Sequence, residues 1–157
     1  MRCWAFRGPR NMDNEAQNTQ DARLAPLVGE WVVEGTHPAE PAIAVRGRAS
    51  FEWLEGGRFV VERWTVEHPE FPDGIAILGE GESGLAQHYF DSRGVARVYA
   101  MSVSDETWEL SRAAPGFAQR FVGTFSDDGS TITGRWEKSS DGSDWELDFH
   151  LTYTKSS

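Results

Sequence analysis

Between Gly29 and Tyr153, apolar residues recur at every second position in short segments. Turn residues separate them: Gly56-Gly57, Arg93-Gly94, Asp127-Asp128-Gly129 and Asp141-Gly142. A repeat of two marks strands with one buried face, and glycine-containing turns mark hairpins. Helical character is confined to one short turn, which Asp21 can cap and which runs through Leu27 before Gly29. The stretch from Glu67 to Gly84 holds Pro69 and Pro72 among several glycines, which predicts a long excursion with one short strand, Ile75 to Leu78. Residues 1–20 are polar and aperiodic and predict a disordered or loosely attached tail, leaving 21–157 as a single domain.

Strand register can be read from the turns, because successive side chains alternate between faces. With Gly56-Gly57 as a turn, Trp53 faces Val60, Phe51 faces Glu62 and Ala49 faces Trp64. Asp105-Glu106 sets Val103 against Trp108, Met101 against Leu110 and Tyr99 against Arg112. A loop over Ala113 to Gly116 puts Trp108 across from Phe121, Leu110 from Gln119 and Arg112 from Phe117, with Glu109 opposite Arg120 outside. A loop over Asp127 to Ser130 places Phe125 against Ile132, Gly123 against Gly134 and Phe121 against Trp136, with Arg120 facing Glu137 outside. A last loop over Ser139 to Gly142 sets Trp136 against Trp145, Gly134 against Leu147 and Ile132 against Phe149, with Arg135 meeting Glu146 outside. Leu151 and Tyr153 extend the inner face. Six of the seven tryptophans then share one face, while opposite charges pair on the other. The pattern predicts an all-β protein: an up-and-down antiparallel barrel of eight to ten strands with an aromatic interior, because closure removes the exposed edges. A flat two-layer sandwich is the alternative.

Composition narrows the function classes. A formal net charge of −10 opposes binding to nucleic acid or to anionic lipid, both of which are held through cationic contacts. No apolar run approaches a membrane span, and the first residues lack the apolar segment of a secretory signal. The single cysteine, Cys3, excludes an internal disulfide and fits a cytoplasmic location. A homodimer stays open, although no exposed apolar stripe demands one.

Two features resemble known families. Gly29-Glu30-Trp31 follows a helical turn and opens the first strand, as in the calycins, which include lipocalins and fatty-acid binders. In that likeness the Trp closes the barrel floor and stacks on a late cation, Arg135 or Lys155 here. The runs QHYFDSRGVARVY (87–99), FAQRFVG (117–123), FSDDGSTITGRWE (125–137), WELDFHLTY (145–153) and GGRFVVERW (56–64) resemble a family of small bacterial lipocalin-like domains of unknown function. This likeness covers roughly residues 24–155 and implies a calycin-type barrel with a small-molecule cavity, and no established activity. Nitrobindins, heme-binding ten-stranded barrels, are a more distant likeness. Their Gly-x-Trp-x-Gly-x-Gly opening is broken here at Val33, and their iron ligand is a His on the last strand, where this chain has His150. That likeness implies heme and action on nitric oxide or peroxynitrite, but the register puts His150 outside, opposite Thr131 and beside Asp148.

The register places four polar residues among the aromatics: Glu62, Tyr99, Arg112 and Gln119. Arg97 shares their parity. Either His88 or the pair Gln87 and Tyr89 joins them, according to whether the turn at Arg93-Gly94 has two residues or three. A charge inside an apolar barrel must be paired or hydrogen-bonded. Glu62 bridged to Arg112 or Arg97, with Tyr99 and Gln119 completing the network, meets that need with no ligand at all. The same network could hold the polar end of a ligand while Trp53, Trp64, Trp108 and Trp136 hold its body. The guanidinium of Arg112 suits a carboxylate. The expected partner is therefore a small apolar or amphipathic molecule, with carboxylates among the candidates. A filled barrel serving as a structural domain is the rival reading. Glu62 could act as a base, yet no partnered nucleophile or phosphate loop accompanies it, so a binder is expected rather than an enzyme, with no catalytic residue assigned. His37, His68, His88 and His150 have no metal-ligand spacing, and no metal or other cofactor is expected outside the heme likeness.

Overall fold

A computed structural model describes residues 20–156; the tail expected over 1–20 lies almost wholly outside them, as does Cys3. Ten strands form one closed antiparallel barrel: β1 (Gly29–His37), β2 (Glu40–Trp53), β3 (Phe59–Val66), β4 (Gly74–Gly81), β5 (Gly84–Asp91), β6 (Ala96–Val103), β7 (Thr107–Arg112), β8 (Ala118–Phe125), β9 (Thr131–Ser139) and β10 (Glu146–Lys155). Each strand pairs with its sequence neighbours, and β1 closes on β10. The excursion expected between Glu67 and Gly84 is shorter than predicted. β4 runs from Gly74 to Gly81, because Trp64 Nε1 donates to the Pro72 carbonyl (3.0 Å) and Val66 N to Asp73 Oδ1 (2.7 Å), which tie the prolines into a tight connection.

One end of the barrel is closed by the chain that precedes β1. Asp21 caps a 3-10 helix over Ala22–Leu27, accepting from Arg23 N, and Leu24 and Leu27 are fully buried. Arg23 also bonds Glu80 at the end of β4 (2.9 Å). Trp31 is buried beside this plug, donates Nε1–H to the Leu27 carbonyl (2.9 Å) and lies 5.1 Å from Lys155 Nζ, so Lys155 rather than Arg135 is the late cation. The indole satisfies its one polar atom locally and spends the rest of its surface on the floor.

The first, second and fourth register expectations hold: Trp53 pairs with Val60, Val103 with Trp108, and Phe121 with Trp136. Two hairpins are shifted. Across β7 and β8, Trp108 faces Gly123, Leu110 faces Phe121 and Arg112 faces Gln119. The pairings Trp108 with Phe121, Leu110 with Gln119 and Arg112 with Phe117 are thereby replaced, and Arg120 faces Ser111 instead of Glu109. The cause is a longer loop, in which Phe117 N closes a turn on the Ala114 carbonyl (3.2 Å) and keeps Phe117 out of the strand.

Across β9 and β10, Trp136 faces Phe149, Gly134 faces Leu151 and Ile132 faces Tyr153, in place of Trp145, Leu147 and Phe149. Asp141 holds the wider loop through bonds from Ser139 Oγ, Ser143 N and Asp144 N, and a bulge falls between Leu147 and Phe149. Trp145 therefore leaves the inner set and covers Arg120 on the outside (4.1 Å). Arg135 accordingly faces His150 rather than Glu146, and Thr131 faces Thr154 rather than His150.

The opposed glycines Gly123 and Gly134 make room for Phe121 inside. A Cβ on Gly134 would collide with the Phe121 ring, and one on Gly123 would stand 3.0 Å from it. Gly134→Ala should therefore cost about 1–3 kcal/mol by overpacking. Urea unfolding measures this, and a midpoint equal to wild type would show that the ring can yield.

Candidate functional site

The barrel encloses a cavity of about 600 Å³. Its lining runs from Trp108, Phe121 and Tyr153 in the interior to Thr36, His68, Phe71, Arg93 and Phe117 at the end opposite the helical plug, where it opens. The walls are aromatic rings in mutual contact. Trp64 stacks on Tyr89 (5.2 Å), and Tyr99 meets Trp136 edge-on (5.4 Å). Trp108 meets Phe121 (5.0 Å) and Tyr153 (5.9 Å) edge-on. Such geometries suit the ring quadrupole and hold the walls in place.

The turn between β5 and β6 decides which residues line this wall. Asp91 N bonds the Val95 carbonyl (3.0 Å), so three residues, Ser92, Arg93 and Gly94, make the turn, with Gly94 at φ 83°. Gln87 and Tyr89 consequently point inward and His88 is exposed. Tyr89 donates its hydroxyl to Asp91 Oδ2 (2.6 Å), and Arg93 donates to the same oxygen (2.7 Å). The Arg93 guanidinium, aided by Tyr89 and two backbone N–H groups, holds the Asp91 carboxyl well below the usual carboxylate range.

The polar residues predicted from sequence separate into three groups. Tyr99 and Gln119 meet: the Tyr99 hydroxyl donates to Gln119 Oε1 (2.9 Å), and Arg97 Nη1 donates to the same oxygen (3.1 Å). Arg112 lies opposite Gln119 in register but turns to the Phe117 carbonyl (3.5 Å) and lines an outer groove instead of the cavity. Glu62 stands apart. It is 6% exposed, makes no bridge to Arg97 or Arg112, and its Oε2 has no hydrogen-bond partner among the described residues. Burial alone pushes its carboxyl up to about 8. Tyr153, close enough to feel the charge of Glu62, has its hydroxyl raised well above the usual value, mainly by burial.

Of the four tryptophans expected at the site, Trp64, Trp108 and Trp136 line the cavity, whereas Trp53 packs against the core outside it. Gln87, Tyr89, Tyr153 and Phe149 also line it. The first two were conditional on a turn length that the sequence left open. His150 faces solvent, paired with Arg135 and Thr36. Among the described residues no cluster of three or more His, Cys, Asp or Glu could hold a metal ion. No helix there is long and apolar enough to cross a membrane.

Among solved structures, the chain is similar to the crystal structure of Rv2717c from M. tuberculosis, with a TM-score of 0.62 and 15% identity. The match covers 88% of this chain and 99% of that one. At that identity the likeness concerns the fold. No protein-family model matches the chain, and no curated protein does.

The raised Glu62 carboxyl has a pH signature. Folded protein keeps the Glu62 proton where the unfolded chain, titrating near 4.5, has released it. The stability contributed by this group is thus fully present below about pH 4.5 and is lost as pH rises to about 8. The slope is at most about 1.4 kcal/mol per pH unit. Glu62→Gln should remove it and be the more stable protein at pH 9. Urea unfolding at pH 5, 7 and 9 tests this, and parallel profiles for the two proteins would refute it.

Proposed function

We propose that the protein is a calycin-like binding barrel that takes up a small apolar or amphipathic molecule through its open end. The observation that carries this reading is the cavity itself: about 600 Å³, walled by aromatic rings, with a few polar groups deep inside. Binding sites for small molecules characteristically combine such a volume with apolar walls and sparse polar groups. Edge-to-face ring contacts and the Tyr89–Asp91 bond fix the walls in advance, which lowers the ordering cost of uptake. The single cysteine and acidic balance are compatible with a cytoplasmic carrier.

The other readings lack a supporting observation. A filled structural barrel would have no such cavity. The heme reading depended on His150, which faces away from the interior.

Titration with the neutral, polarity-sensitive fluorophore Prodan tests the proposal. Ala49, opposite Trp64 on the cavity wall, becomes bulkier in Ala49→Leu, which should weaken uptake at least tenfold. Val98→Ser alters an exposed site in the outer groove and should leave uptake unchanged. The reverse pattern would place the probe on the surface and defeat the proposal. Native mass spectrometry of gently purified material should also reveal a bound small molecule by its mass.

A further inference from the structure

The polar inventory of the cavity is lopsided. Three buried polar atoms of lining residues lack a hydrogen-bond partner among the described residues: Glu62 Oε2, Gln87 Oε1 and Trp108 Nε1. Buried polar groups are nearly always satisfied, so orphans gathered in one cavity mark where a ligand's own polar atoms belong. Arg97 and Arg93, the bases whose strands carry the inner wall near the open end, are engaged. Arg97 bonds Gln119, with its guanidinium 5.4 Å from the Phe117 ring; Arg93 bonds Asp91; Arg112 bonds the Phe117 carbonyl. Glu62 is free, while Arg93 and Arg97 are held by other residues.

We propose that the cavity selects an organic amine bound head-inward, its ammonium donating to the Glu62 carboxylate between aromatic faces. This deepens the binding reading above and rests on it. The surroundings of Glu62 suit a cation. Phe51 lies opposite it on β2 and Ala76 on β4; Ala76 is small, and beyond it in the same row is Tyr89. Tyr153 approaches from β10, edge-on to Trp108. Electron-rich ring faces attract cations, most strongly where water is excluded. The net charge of −10 draws a cation toward the protein from a distance. A carboxylate head would meet another carboxyl, with the neutral donors Trp108 Nε1, the Gln87 amide and the Tyr153 hydroxyl around it rather than a free cation.

Proton balance follows directly. With the cavity empty, Glu62 keeps its proton near neutral pH. When the ammonium arrives, that proton leaves to solvent and an ion pair replaces a neutral acid. The titratable groups facing Glu62, Tyr153 and Tyr89, are both shifted upward and stay protonated throughout. Arg97, next in the row after Tyr89, stays on Gln119.

The test uses three probes that share one ring system: 2-naphthylmethylamine, 2-naphthylmethanol and 2-naphthoate. Calorimetric titration at pH 7 should find the amine at least tenfold tighter than either other probe. Runs in buffers of different ionisation heat should report a proton released with it. Glu62→Gln should abolish both the preference and the proton release, its fold checked by circular dichroism. Equal or tighter binding of the alcohol or the naphthoate by wild type overturns the amine assignment and leaves the cavity reading standing, without recourse to any variant. An amine preference that survives Glu62→Gln also overturns it. Binding of none of the three removes the cavity reading and this inference together.

Discussion

On a closed antiparallel sheet each side chain points into the barrel or out of it, and the two-residue repeat of the strand decides which. Everything else in this protein inherits that choice. The β7–β8 hairpin differs from its expected pairing by an even number of residues, so Trp108, Leu110 and Phe121 remain inside although each meets a new partner. In β10 the bulge between Leu147 and Phe149 changes the count by one, and the residues before it change sides. Together with the wide Asp141 loop, this leaves Trp145 on the outside. Its apolar surface is not wasted there, because Arg120 stacks on it while bonding Glu137 at 3.0 Å.

The barrel class and the inner face were readable because parity tolerates most errors of loop length. The pairing of Trp53 with Val60 and of Phe121 with Trp136 followed from turns whose glycines leave little choice. Less was readable where a loop builds itself from side-chain bonds. Asp141 gathers Ser139, Ser143 and Asp144 into a loop wider than its Asp-Gly pair suggested. The site was legible as a set of residues sharing a face, but not as a set of bonds. Parity put Glu62, Tyr99, Arg112 and Gln119 together; height along the barrel and side-chain direction separate them. The Arg112 guanidinium ends on the Phe117 carbonyl, and Glu62 remains deep and alone. Neither coordinate is contained in an alternation pattern.

Two inward carboxyls show how environment divides one chemistry into two. Asp91 sits at the turn, where Arg93, Tyr89 and backbone N–H groups reach it, and it stays charged. Glu62 sits in the middle of β3, flanked by Phe51 and Ala76, with nothing to compensate a charge. The first serves as scaffolding for the Tyr89 wall. The second is costly to charge, because nothing around it repays the loss of water.

Closure also bears on how the chain reaches this state. Trp31 pairs with Lys155, so the seam between β1 and β10 joins almost the first described residues to almost the last. Loop-closure entropy must be met before such a contact returns anything, whereas every other strand pair joins sequence neighbours and can form locally. During synthesis β1 waits with one edge unpaired until β10 emerges from the ribosome. In that interval the nascent sheet is open to pairing with a foreign strand, and only the arrival of the final strand removes the hazard.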